Sequence, residues 1–195
     1  LAFAAALFVN DAPPWAKGPL AHALDLLAAI PSVIYGMWGL FVLCPHLQEL
    51  LAACGFETTG FGLLASALVL ALMVLPYISA VMRDVLAQAP VALAESALGV
   101  GCTRWEAVWH VIVCAQRRGL IGGILIGLGR ALGETMAVLF VCGGVNAIPT
   151  GLFDGCTTIA ATLANDFAEA DGLHRSALFG LGAILLVLEL IIQII

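Results

Sequence analysis

Charge is what this 195-residue sequence has least of: 10% of its residues are charged and 63% are apolar. Soluble domains run near a quarter charged and about half apolar. Too few polar side chains are present to cover a water-facing surface, which argues against an ordinary soluble domain and makes lipid the expected solvent. Base is scarcer than acid, with 7 Lys and Arg against 13 Asp and Glu. That balance excludes the basic stripe of a nucleic-acid footprint, so no nucleic-acid partner is expected. Lysine occurs once, at Lys17, and Gly rather than Ser or Thr follows it. A phosphate-cradling nucleotide loop, which ends in Gly-Lys-Ser/Thr, is therefore missing. The 6 Cys and 4 His form no CxxC pair and no ligand spacing, so neither a metal nor another bound cofactor is expected. The cysteines read as small hydrophobes, with Cys44 and Cys54 open to bridging only if their loop lies outside the cytoplasm. No Met stands at Leu1, and both ends fall in apolar runs, which reads as a piece of a longer chain.

Apolar stretches dominate what is there. A membrane span needs about 20 mostly apolar residues. Leu20 to Leu43, Phe61 to Met82, Gly119 to Cys142 and Ser176 to Ile195 qualify, with Leu1 to Val9 as the tail of an earlier span. The expected fold is an all-α polytopic transmembrane bundle forming one domain over 1–195. Pro31 and Pro76 fall inside spans, where neighbouring helices satisfy the backbone groups that a proline frees. The connections alternate in charge. Lys17 marks the first, and Arg83, Arg104, Arg117 and Arg118 mark the third. Glu49 and Glu57 mark the second, and Asp154, Asp166, Glu169 and Asp171 outnumber Arg175 in the fourth. The positive-inside rule places the basic connections in the cytoplasm and the acidic ones outside.

The cytoplasmic connection 83–118 has internal order. From Pro90 it reads as two short helices with a turn at Gly99-Val100-Gly101. Thr103 and Glu106 have the spacing of a capping box for the second helix. Trp105, Val108, Trp109 and Ile112 share a face of that helix suited to burial. Two Trp there are either an interfacial anchor or a docking knob for a soluble partner.

Glu95, Ala97 and Gly101, followed by Val111-Ile112-Val113-Cys114, resemble the cytoplasmic EAA loop of ABC importer permeases. Ser96 stands where that loop has its middle Ala, and Cys114 where it has a Pro. The resemblance implies a MetI-like permease fold in which Thr103 to His110, including Arg104, Trp105, Glu106 and Trp109, fits a cleft in an ATPase subunit. Four blocks are closer still to the PstC family of phosphate-specific transport permeases. They are Ala28 to Gly39, Ala80 to Val85, Gly129 to Val138 and Ala164 to Ala170. That resemblance implies a multi-pass bacterial inner-membrane subunit that is no enzyme itself. Its implied partners are a second related permease, two ATPase subunits that use ATP, and an external phosphate-binding protein.

Arg130 and Glu134 lie four residues apart within an apolar stretch, a spacing that puts both on one face of a helix. Ionised groups at membrane depth almost always face a protein interior or an aqueous path. The pair is either a structural salt bridge or an anion site. In the second reading Arg130 offers a planar fork of donors to the anion. Glu134 then accepts the hydroxyl that phosphate keeps near neutral pH and sulfate lacks. The PstC resemblance implies the same two residues in transport. The rival functions are an ABC permease for another oxyanion or small solute, and a secondary anion transporter or channel. Gly119, Gly123 and Gly127, and again Gly129 and Gly133, recur at the four-residue spacing of a helix-packing face.

Overall fold

A computed structural model describes residues 1–56 and 58–194. Glu57, counted above among the external acids, and Ile195, at the end of the last expected span, lie outside the described residues. The described chain is helical, with one isolated backbone bridge between Gly143 and Cys156. The helices, in order, are α1 (Ala2–Asp11), α2 (Pro14–Ala29), α3 (Ser32–Trp38), α4 (Cys44–Ala53), α5 (Leu63–Ala87) and α6 (Val91–Gly99). They continue with α7 (Arg104–Glu106), α8 (Val113–Ala115), α9 (Arg117–Leu132), α10 (Met136–Val141), α11 (Ile159–Asp166) and α12 (Gly172–Ile194). Wider π turns, Gly39–Leu43 and Ala107–Ile112, join α3 to α4 and α7 to α8.

Helices α5 and α12 are each long and apolar enough to cross a membrane, with mean hydropathies of 2.3 and 2.4. The other two expected spans are not single helices. Between Leu20 and Leu43 the helix ends at Ala29, and Pro31 occupies the position before α3. Pro disfavours helical backbone in the residue before it, and its own fixed φ suits a helix start. Between Gly119 and Cys142 the helix stops at Leu132 and restarts at Met136. Pro76, by contrast, sits within an unbroken α5.

The chain divides into two compact units. The first comprises Leu1–Ala29 and Leu75–Leu128. Its core is Ala6, Leu7, Met82, Leu86 and Leu120, with Val108 and Ile112 packed against them. Glycines let α9 lie close on α5: a Cβ on Gly119 would stand 2.7 Å from Val85 Cγ1, and one on Gly123 3.2 Å from Val81 Cγ1. Arg83 donates to Asp25 at 3.2 Å, to Asp84 at 3.0 Å and to the Ala21 carbonyl at 3.3 Å.

The second unit comprises Ile30–Val74 and Gly129–Ile195. Tyr35, Cys44, Ala65, Val69, Met73, Ala137 and Val141 form its main core. Here α3 presses on α10. A Cβ on Gly36 would meet the Ala137 Cα at 2.9 Å, and one on Gly39 the Val141 Cγ1 at 2.7 Å. Outside these helices, Thr150 Oγ1 donates to Asp154 at 2.7 Å, and the Thr150 and Gly151 amides add bonds of 2.9 and 2.8 Å. Those bonds, the Thr150 hydroxyl foremost, hold the Asp154 carboxyl below the usual aspartate range.

Candidate functional site

Two sites are built separately, one in each unit. In the first unit, α6 carries exposed Glu95 and buried Ala97. Its end is closed by backbone geometry. Gly101 takes φ +98, the Cys102 amide donates to the Ala97 carbonyl at 3.1 Å, and the Gly101 amide donates to Leu98 at 3.0 Å. These are the paired bonds of a Schellman motif, whose left-handed residue is best a glycine. One residue beyond the turn, the expected capping box is formed. The Thr103 amide and hydroxyl donate to Glu106 Oε2 at 2.8 and 2.9 Å, and the Glu106 amide returns a bond to Thr103 Oγ1 at 3.3 Å. Bonds from Thr103 hold the exposed Glu106 carboxyl below its ordinary range.

The single apolar stripe expected on this helix is divided. Val108 and Ile112 pack against the core of the unit, whereas Trp105 and Trp109 are 58% and 43% exposed. A π turn advances the chain by i→i+5 bonds, as in Val113 N–H to Val108 O, so a strict 3.6-residue stripe cannot continue through it. The indoles meet edge to face at 6.2 Å, and Trp109 meets Phe3 at 5.6 Å. With Ala4, Leu7, Phe8 and Asp11 they line a cavity of about 400 Å³. Arg104 is exposed beside them. The helix ends without the proline that Cys114 replaces: the chain turns by 73° at the break between Ala115 and Arg117.

The second unit holds Arg130 and Glu134, and the helix between them is broken. Arg130 lies half-buried in the last turn of α9. Glu134 is 9% exposed and falls in the break, off α9 altogether. Its Oε1 accepts the Ala137 amide at 3.2 Å, so it satisfies one of the open donors at the start of α10. The expectation that both side chains project from one helix face is therefore corrected. Spacing alone suggested it, because no proline stands at Gly133, Glu134 or Thr135 to mark a break.

An open cleft of about 460 Å³ begins at this break. Gly133, Thr135, Ala160, Leu163, Ala164, Phe167, Ala168 and Leu185 line it. Two of the sequence blocks quoted above, Gly129 to Val138 and Ala164 to Ala170, thus meet at one cleft. Phe167 is held on α12 by an edge-to-face contact with Phe179 at 5.6 Å and by Arg175, whose guanidinium lies 5.4 Å from its ring centre. Irregular backbone at membrane depth is tolerated where it is buried in protein or lines a cavity.

One further side chain reaches the break from α12. Glu189 Oε1 lies 3.2 Å from where a Cβ on Gly133 would stand and 3.9 Å from that on Gly129. Gln193 Nε2 lies 3.1 Å from the Gly129 position. In the sequence Glu189 registers only as the interruption of an apolar run. Its four-residue spacing to Gln193 is the available signal for a polar face on α12. Among the described residues, no group of three or more His, Cys, Asp and Glu could hold a metal ion.

Comparison with known proteins places this geometry. The phosphate transport system permease protein PstC of Pasteurella multocida is 45% identical over 208 residues, covering 98% of this chain and 65% of the relative. Its namesake in Haemophilus influenzae is 44% identical, with 100% and 67% covered. The chain thus spans about two thirds of the length of these relatives. In fold, it is similar to a chain of the inward-facing MetNI methionine ABC transporter, at a TM-score of 0.72 and 16% identity, with 100% of this chain and 82% of that one covered. A second crystal form gives 0.69 at 18% identity, with 94% and 74% covered. The model of binding-protein-dependent transport system inner membrane components matches residues 1–195, and the chain belongs to that family.

Proposed function

We propose that the chain provides the membrane-spanning path of an ATP-driven importer for inorganic phosphate. The observation that carries this reading is a polar pair set at a helix break within an apolar stretch, beside an open cleft. Identity of 44–45% to proteins named as phosphate transport permeases supports phosphate as the cargo. Arg130 attracts the anion. Glu134, anchored through the Ala137 amide, stays within reach of the phosphate hydroxyl and disfavours sulfate, which has none to donate.

In this reading α5 and α12 cross the membrane as single helices, and the broken stretches complete the bundle. The segment from Glu95 to Trp109 lies in the cytoplasm and docks on an ATPase subunit, with Trp105 and Trp109 as its knob. ATP is bound and hydrolysed by two such subunits, not by this chain. A second related permease completes the path, and an external phosphate-binding protein delivers the cargo.

Labelled-phosphate uptake tests the reading, in cells that lack their own permease and carry the full-length parent of this chain. Restored uptake that excess sulfate leaves intact is expected. An assembled transporter that takes up no phosphate would discard phosphate as the cargo, and uptake that sulfate suppresses would discard the selectivity assigned to Glu134.

A further inference from the structure

Glu189 has no place in the scheme above, yet it is an ionisable group in a strongly apolar helix. Such a group is retained at membrane depth where a charge or an aqueous path awaits it. Its carboxyl lies against Gly129 of α9 and Gly133 in the break just beyond it, which bracket Arg130 in the chain. The groove exists because neither glycine has a side chain, and both Glu189 and Gln193 are laid into it. On a helix, Arg130 stands only about 60–100° around the axis from that groove, well within the reach of a long side chain. The nearer acid in the sequence, Glu134, is engaged by the Ala137 amide in starting α10.

We propose that Glu189 is the exchangeable counter-charge of Arg130. With the path empty, its carboxylate neutralises the guanidinium. An arriving anion displaces it, and its return helps to expel the anion towards the next stage. Glu189 is thus a positioning residue that acts on cargo through Arg130. The inference rests on the anion path proposed above. It makes affinity and turnover trade against each other: a competing carboxylate weakens anion binding and speeds release.

The test is concentration-dependent phosphate uptake by the complete transporter bearing Glu189→Gln or Glu189→Asp. Gln keeps shape and removes charge. It should lower KM by about three- to tenfold, the size of one exchanged ion-pair contact, and lower maximal uptake as release slows. Asp restores the carboxylate and should bring KM back towards the unaltered value. A role limited to helix packing would change the amount of assembled transporter, and so maximal uptake, while leaving KM alone. An unchanged or raised KM in Glu189→Gln therefore overturns the assignment. Failure of the unaltered transporter to take up phosphate would instead overturn the cargo reading, and this inference with it.

Discussion

The two units treat helix ends in opposite ways. In the first, α6 is closed by the paired bonds around Gly101, and α7 is opened by reciprocal bonds between Thr103 and Glu106. Every partner there is a near neighbour in sequence, and the charged member is exposed. In the second unit, α9 simply stops, and the restart at α10 relies on a buried carboxylate. Polar groups on three elements gather at that stop: Arg130 on α9, Glu134 in the break and Glu189 on α12. Both caps are local in sequence; they differ in that the carboxyl of Glu106 is exposed, whereas that of Glu134 is buried where other polar groups lie near. Under the proposed function, the first end transmits force and the second is one that cargo can compete for.

Replacing Arg130 is the severest way to break that comparison. In Arg130→Ala, phosphate uptake is expected to fall by about 30-fold or more, as when one partner of a desolvated charge contact is removed. Co-purification with the ATPase subunit should persist. If ATPase association fell in parallel, the two regions would not be functionally distinct.

Gly101→Ala should act the other way round. A Cβ at φ +98 costs about 1–2 kcal/mol, so the turn loosens. The expected readout is a lower unfolding temperature and weaker association with the ATPase subunit, with the KM for phosphate unchanged. A shifted KM would dissolve the contrast.

The smallest expected effect sharpens it. Thr103→Ala removes a cap worth about 1 kcal/mol. Glu106 is held below its ordinary range by Thr103, so its contribution is complete above the usual glutamate range and is lost as pH falls through its lowered value. Acid unfolding of the unaltered protein should therefore show a component that Thr103→Ala weakens but does not abolish, because the amide at position 103 still donates to Glu106. Superimposable acid-unfolding curves for the two proteins would show that the Thr103 hydroxyl contributes nothing to stability.

The first unit's turn and cap were legible in the sequence because their determinants are short-range. Gly101, Thr103 and Glu106 act over three or four residues, and their spacing specifies their bonds. The Trp stripe was legible only in part, since the π turn at Ala107–Ile112 has no sequence signal as plain as a proline. At Arg130 and Glu134 the spacing in the sequence suggested one helix face, and the arrangement is different. What α3 does against α10 decides the matter: Gly36 and Gly39 let backbone approach Ala137 and Val141, which locks α10 in place and leaves the chain to break before it. Packing between residues a hundred positions apart does not register in a window of twenty. Prolines show the same limit, with Pro31 ahead of a new helix and Pro76 within a continuous one.

The π turn before Ile112 also bears on how this segment tolerates genetic change. An i→i+5 turn accommodates one residue more than an α-turn over the same rise. A single-codon deletion within Ala107–Ile112 can therefore be absorbed by reversion to ordinary α-pitch, leaving α8 and the bend after it correctly phased. The same deletion in α9 would rotate every residue beyond it by one helical step, shifting Arg130 and Gly129 relative to α12. Length variation among descendants of this chain should accordingly collect in the helix that carries Trp105 and Trp109 and be purged from α9, which carries Arg130.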